Sequence, residues 1–107
     1  MMPESEFRAA VATTLDSLGR QLDAVDSDEV DWKLSDGVLT VEFEAGGVFV
    51  LSQQVPTREL WLSAFSRAWH FDRREGTWLE RDSREPLAAV LTAGFSQKLG
   101  FPVPLTA

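Results

Sequence analysis

Asp16, Asp23, Asp26, Asp28, Glu29 and Asp31 are the side chains whose type and spacing best suit chemistry in this chain. At about 100° per helical residue, Asp16 and Asp23 fall almost one above the other, away from the apolar stripe of the same helix. Asp26 and Asp28 follow where that helix must end, then Glu29, and Asp31 falls on the outward side of the next strand. Carboxylate oxygens suit hard cations, and an open cluster without imidazole or thiolate holds a divalent ion weakly and exchanges it readily. A charge run of this kind more often means only a solvated face that keeps a protein soluble. Residue type alone leaves both readings open.

Other chemistries have less support. The chain has no cysteine, which excludes disulfides, zinc–thiolate sites, iron–sulfur ligation and thiol catalysis within it. His70 is the only histidine, and it sits mid-strand with no nucleophile motif nearby, so a Ser-His-Asp triad is not expected. The paired Glu-x-x-His ligands of carboxylate di-iron oxidases are absent. Gly46-Gly47 reads as a hairpin turn, not a phosphate loop. Counting acids does not dispose of a glycosidase pair, but nothing indicates a cleft.

The net charge of −7 is unevenly spread. Residues 1–44 hold eleven acids against three bases, and residues 45–107 hold six acids against seven bases. Such a field repels nucleic acid and anionic lipid, and attracts cations or basic protein surfaces. The N-terminal stretch has neither a basic region nor a following apolar run, and no apolar stretch is long enough to span a bilayer. A soluble, cytoplasmic protein with no signal peptide is expected.

The elements that must position the carboxylates follow from periodicity. With 107 residues, 44% apolar, including four Trp and seven Phe, residues 1–107 should form one domain around one core. Phe7, Val11, Leu15, Leu18, Leu22 and Val25 mark one stripe of an amphipathic helix from Pro3 to about Val25, capped by Glu4 or Ser5 and ended by Asp26-Ser27-Asp28. Alternating runs then predict strands at 30–34, 38–43, 48–52, 59–63, 69–73 and 77–81, joined by connections too short to cross over a sheet. A second helix opens at Glu85-Pro86, with Pro86 as its first residue, buries Leu87, Val90, Leu91, Phe95 and Leu99, and stops at Gly100. Gly94 is expected to let it approach the first helix closely. The Pro-rich tail from Phe101 to Leu105 should cover an edge of the core. The result is an α+β fold: a two-layer α-β sandwich, two helices on one face of an antiparallel sheet of five or six strands. In Leu60-Trp61-Leu62 the leucines take the helix side, which leaves Trp61 on the open face. Trp32, Trp69 and Trp78 read as structural.

Val38-Leu39-Thr40-Val41, Ser52-Gln53-Gln54-Val55-Pro56 and Leu60-Trp61-Leu62-Ser63, followed by His70-Phe71-Asp72, Trp78 and a Leu-rich helix, resemble the central block of frataxins. The likeness runs from Ser5-Glu6-Phe7 to about Gly100. It implies the sandwich just inferred and a role in iron–sulfur cluster biogenesis. It further implies weak, exchangeable binding of ferrous and ferric iron at an acidic ridge on the first helix and first strand. That ridge maps onto Asp23, Asp26, Asp28, Glu29 and Asp31, with Asp16 at a position where a neutral residue is common. The resemblance also implies a non-enzymatic protein, monomeric when iron-free, that contacts a cysteine desulfurase and its scaffold protein. Trp61, Gln54, Glu42 and Glu44 are the expected contact residues. An iron-oxidising or storage protein, or a plain acidic interaction module, are the alternatives. Three departures bear on the ridge: Gly19-Arg20 replaces a pair of glutamates, Ala24 replaces an aspartate, and Lys33 replaces an acid on the first strand. Arg20 lies within reach of Asp16 and Asp23 and should lower local cation affinity.

Overall fold

The computed structural model describes residues 2–25 and 28–107, so the expected turn at Asp26-Ser27 lies outside the described residues. A 20-residue helix, α1 (Glu4–Asp23), leads into six strands: β1 (Val30–Ser35), β2 (Val38–Phe43), β3 (Val48–Gln54), β4 (Glu59–Ala64), β5 (Arg67–Arg74) and β6 (Thr77–Glu80). A second helix, α2 (Leu87–Leu99), follows. The strands form one antiparallel meander in the order β1-β2-β3-β4-β5-β6, as their short connections require. Both helices lie on one face. Phe7, Val11, Leu15, Leu18 and Leu22 of α1 and Leu87, Leu91 and Phe95 of α2 are buried against Leu39, Val41, Leu51, Leu60, Leu62 and Phe71 of the sheet.

Several local details differ from the expectation. The N-cap of α1 is Pro3, with no side-chain cap, and neither Glu4 nor Ser5 takes that role. Both already sit inside the helix, where the extended backbone that a cap needs is lost. The helix also ends at Asp23, short of Val25. Pro86 is likewise one position outside α2, in an extended conformation (φ −68°, ψ 142°) that lets it bridge to Leu79 of β6. Gly100 does end α2 in the left-handed conformation, with φ 79°. Gly94 faces the sheet instead of α1: a methyl group there would meet the Phe49 ring at 3.1 Å. The β4–β5 turn places Phe65 and Ser66 at φ 51° and 59°, a left-handed pair that turn chemistry reserves mainly for Gly, Asn and Asp.

The tail after α2 is stitched across both helices. Val103 and Leu105 are buried. Their N–H groups donate to Ser96 Oγ and Thr92 Oγ1 of α2, each at 2.9 Å. Thr106 and the Gln21 side chain of α1 exchange two hydrogen bonds of 2.8 Å. Pro102 and Pro104 have no N–H to satisfy, so alternating them with inward apolar residues leaves few polar groups in need of partners. Among the described residues no helix is long and apolar enough to cross a membrane.

Candidate functional site

The helix-free face of the sheet carries two groups of the residues singled out in the sequence. The first is acidic. In the β1–β2 pairing Asp31 stands directly opposite Glu42, and both are exposed on the outward face. One step beyond the strand ends, the Glu44 N–H donates to the Glu29 carbonyl at 2.8 Å, so these two acids are backbone neighbours as well. Like charges facing each other across strands repel. The register thus joins two sets that sequence reading kept apart, Glu29 and Asp31 as metal ligands and Glu42 and Glu44 as partner contacts. Asp28 is exposed just before this hairpin, while Asp26 lies outside the described residues. Lys33, two residues along β1 on the same face, tempers the field.

The helical carboxylates are placed differently. Asp23 accepts a hydrogen bond from the Trp32 indole at 3.0 Å. That indole lies over Gly19, where a methyl group would come within 2.9 Å of the ring. Gly19 is therefore a seat for Trp32, which accounts physically for a glycine in mid-helix despite its cost of about 1 kcal/mol relative to alanine. Asp16 sits two turns away, about 10 Å along α1, beside the Asp36-Gly37 turn. Arg20 forms no ion pair with Asp16 or Asp23 among the described residues, contrary to expectation; the Asp23 carboxylate is engaged with Trp32 instead. Also among the described residues, no three of His, Asp and Glu converge to enclose a metal ion. The arrangement is an open pair of facing acids, not a cage.

The second feature is aromatic. Trp61 is 37% exposed, while Leu60 and Leu62 on either side of it are buried on the helix side. Its indole N–H donates to Glu59 Oε1 at 3.0 Å, and Glu59 is itself buried and paired with Arg81 at 3.7 Å. The ring partner of Trp61 is His70, directly opposite on β5 with centroids 4.6 Å apart. Gln54 stands opposite Glu59, one step along the same face, and its amide donates to Ser52 Oγ at 3.2 Å. The indole is thus held in one orientation by a hydrogen bond and a ring contact. Trp61 lies about 13 Å along the strands from the Asp31–Glu42 pair, and about 10 Å across them from Glu42 and about 14 Å from Asp31, within the span of a standard protein interface.

Glu80, behind this face, had no signal in the sequence. Its buried carboxylate accepts backbone N–H groups of His70 at 3.0 Å, Asp82 at 2.7 Å and Ser83 at 3.0 Å. Burial pushes this carboxyl up, but the three N–H donors and the nearby His70 outweigh it, and it titrates below its ordinary value. A folded-state value below the unfolded one gives stability that is complete above the unfolded value and lost as pH falls through the folded one. Glu80→Gln is therefore expected to cost about 1–3 kcal/mol at pH 7. The difference from wild type should shrink below about pH 4, as urea unfolding at both pH values will measure.

The frataxin-like domain model matches residues 1–101. The iron–sulfur cluster assembly protein CyaY of Pseudomonas aeruginosa is 43% identical over 95 residues, which cover 84% of each chain. That of Ralstonia nicotianae is 34% identical, covering 99% of this chain and 96% of its own. Among solved structures, the frataxin of Psychromonas ingrahamii superposes with a TM-score of 0.91 over 99% of this chain and 100% of its own; at 23% identity this is a likeness of fold. A ferrous complex of the trimeric frataxin of the yeast Saccharomyces cerevisiae gives a TM-score of 0.71 at 28% identity, covering 94% of this chain and 88% of that one.

Proposed function

Since this chain belongs to the frataxin-like family, we propose that it serves iron–sulfur cluster assembly in the cytoplasm, as a non-enzymatic protein that holds iron loosely and docks on the assembly machinery. The observation that carries this reading is the facing pair Asp31 and Glu42, continued by Glu29 and Glu44, on the same open sheet face as the oriented Trp61. Carboxylates set against each other at a cost in stability gain from any cation or basic surface that neutralises them. Iron is the cation that the relatives' names and the yeast ferrous complex support. The partner is a cysteine desulfurase with its scaffold protein, met by the acidic hairpin through charge and by Trp61 through desolvated contact.

Ferrous iron added anaerobically should broaden the NMR signals of residues 28–31 and 42–44 first and leave the fold unchanged. The double variant Asp31→Asn/Glu42→Gln should weaken iron binding at least about fivefold, because a two-carboxylate site has little else to hold the ion. Desulfurase binding should weaken in the same variant and fall with added salt. Unaltered affinity for both ligands would remove the basis of the proposal. Catalysed oxygen consumption would favour an iron-oxidising protein instead.

A further inference from the structure

Asp23 is the last residue of α1 and Trp32 the third of β1, and their side chains tie the two elements together. The indole N–H donates to Asp23 Oδ1 at 3.0 Å, while the six-membered ring rests on Gly19, one turn back along the helix. A methyl group at Gly19 would come within 2.9 Å of that ring, so the seat exists because this residue has no side chain.

The tie sits behind the acidic hairpin at its weaker end. β1 is an edge strand, with β2 as its one neighbour in the sheet. The hairpin turns at Asp36-Gly37, so the Asp31–Glu42 and Glu29–Glu44 pairs lie at its far, open end. Strand ends open most readily, and facing carboxylates push them apart. Asp31 and Lys33 point outward, which turns Trp32 between them towards the helices. A movement of Asp31 away from Glu42 therefore pulls on the residue that Asp23 and Gly19 hold.

We infer that Asp23 is a positioning residue of the acidic site and not one of its iron ligands. Acting through Trp32, it pins β1 to α1 and keeps Glu29 and Asp31 opposite Glu44 and Glu42. Among the described residues Asp23 does not converge with two other acids on one point, as a ligand of a shared ion would. This role rests on the iron reading, since the acids it orders are the ones read as ligands.

Two substitutions separate positioning from ligation. Asp23→Asn removes the charge but keeps an oxygen that accepts the indole N–H. Gly19→Ala keeps the charge and favours the helix, but removes the seat. Amide hydrogen exchange in metal-free buffer reads the hairpin end at Asp31 and at Glu44, whose N–H donates to the Glu29 carbonyl. Rates are taken relative to Leu51 and Leu62, buried in the central strands, which report on the whole fold. Gly19→Ala and Asp23→Ala should each speed exchange at Glu44 at least about fivefold, and Asp23→Asn should stay within about twofold of wild type.

An anaerobic ferrous titration completes the test. Asp23→Asn should bind iron within about twofold of wild type, against the loss of at least about fivefold expected for Asp31→Asn/Glu42→Gln. Unchanged exchange in both alanine variants, or Asp23→Asn exchanging as fast as Asp23→Ala, would overturn the positioning role. So would an Asp23→Asn chain that loses as much iron affinity as the double variant, because Asp23 would then be a ligand. Should wild type take up no ferrous iron, the iron reading falls, and exchange at Glu44 still decides whether Asp23 holds β1 in place.

Discussion

Replacing Trp78 by alanine is expected to cost about 4–5 kcal/mol, a large part of the stability of a domain this size. Trp78 is fully buried, and its ring meets Phe7 of α1 edge-on at 6.2 Å between centroids. Its indole N–H donates at 2.8 Å to Thr14 Oγ1, also buried. Alanine would leave a cavity under the start of α1, strand the Thr14 hydroxyl and remove the surface on which Arg73 lies. Trp78→Phe keeps most of the volume but loses the hydrogen bond, and should cost about 2 kcal/mol. Urea unfolding followed by far-ultraviolet circular dichroism is the proper measurement, because the substituted residue is itself a fluorophore. A loss under about 1 kcal/mol for the alanine variant would mean that Trp78 does not anchor α1 to the sheet.

Removing residues 101–107 is expected to cost about 3–5 kcal/mol and to lower Tm by roughly 12–20 °C. The loss combines the burial of Val103 and Leu105 with the hydrogen bonds to Thr92, Ser96 and Gln21. Leu105→Ala alone should account for about 2–3 kcal/mol of it. The acidic hairpin and Trp61 lie on the opposite face of the sheet, so iron binding by the shortened chain at low temperature should match that of the full chain. Calorimetry of the two chains checks the first expectation and an iron titration the second. Equal melting temperatures would show that the tail rests on the helices without holding them.

Much of this architecture is encoded locally. The apolar stripe of α1 from Phe7 to Leu22, the alternation in each strand, the Asp36-Gly37 turn and the Gly100 stop are all nearest-neighbour signals, and periodicity reads them directly. The outward position of Trp61 follows from the same alternation, because Leu60 and Leu62 cannot both be buried unless it turns away. Short connections then leave only an antiparallel meander.

Features that depend on pairing between distant segments were not legible. The Phe65-Ser66 turn carries no turn chemistry, and Phe65 is held there through its ring contact with Phe49, 5.2 Å away on β3. Gly19 looked like a defect in α1 until Trp32, thirteen residues on, came to occupy the space above it and to engage Asp23. Glu80 carries no local signal of burial, because its three N–H partners come from the strand beside it and the turn after it.

By itself the sequence determined the two-layer fold, the acidic character of its first half and the open face for Trp61, because side-chain periodicity and charge count are properties of the chain. Only the tertiary structure decided which carboxylates stand together. Asp31 faces Glu42 through strand register, and the Asp23 carboxylate is taken up by the Trp32 indole. Charges act through distance in space, and distance in space is set by which strand lies beside which.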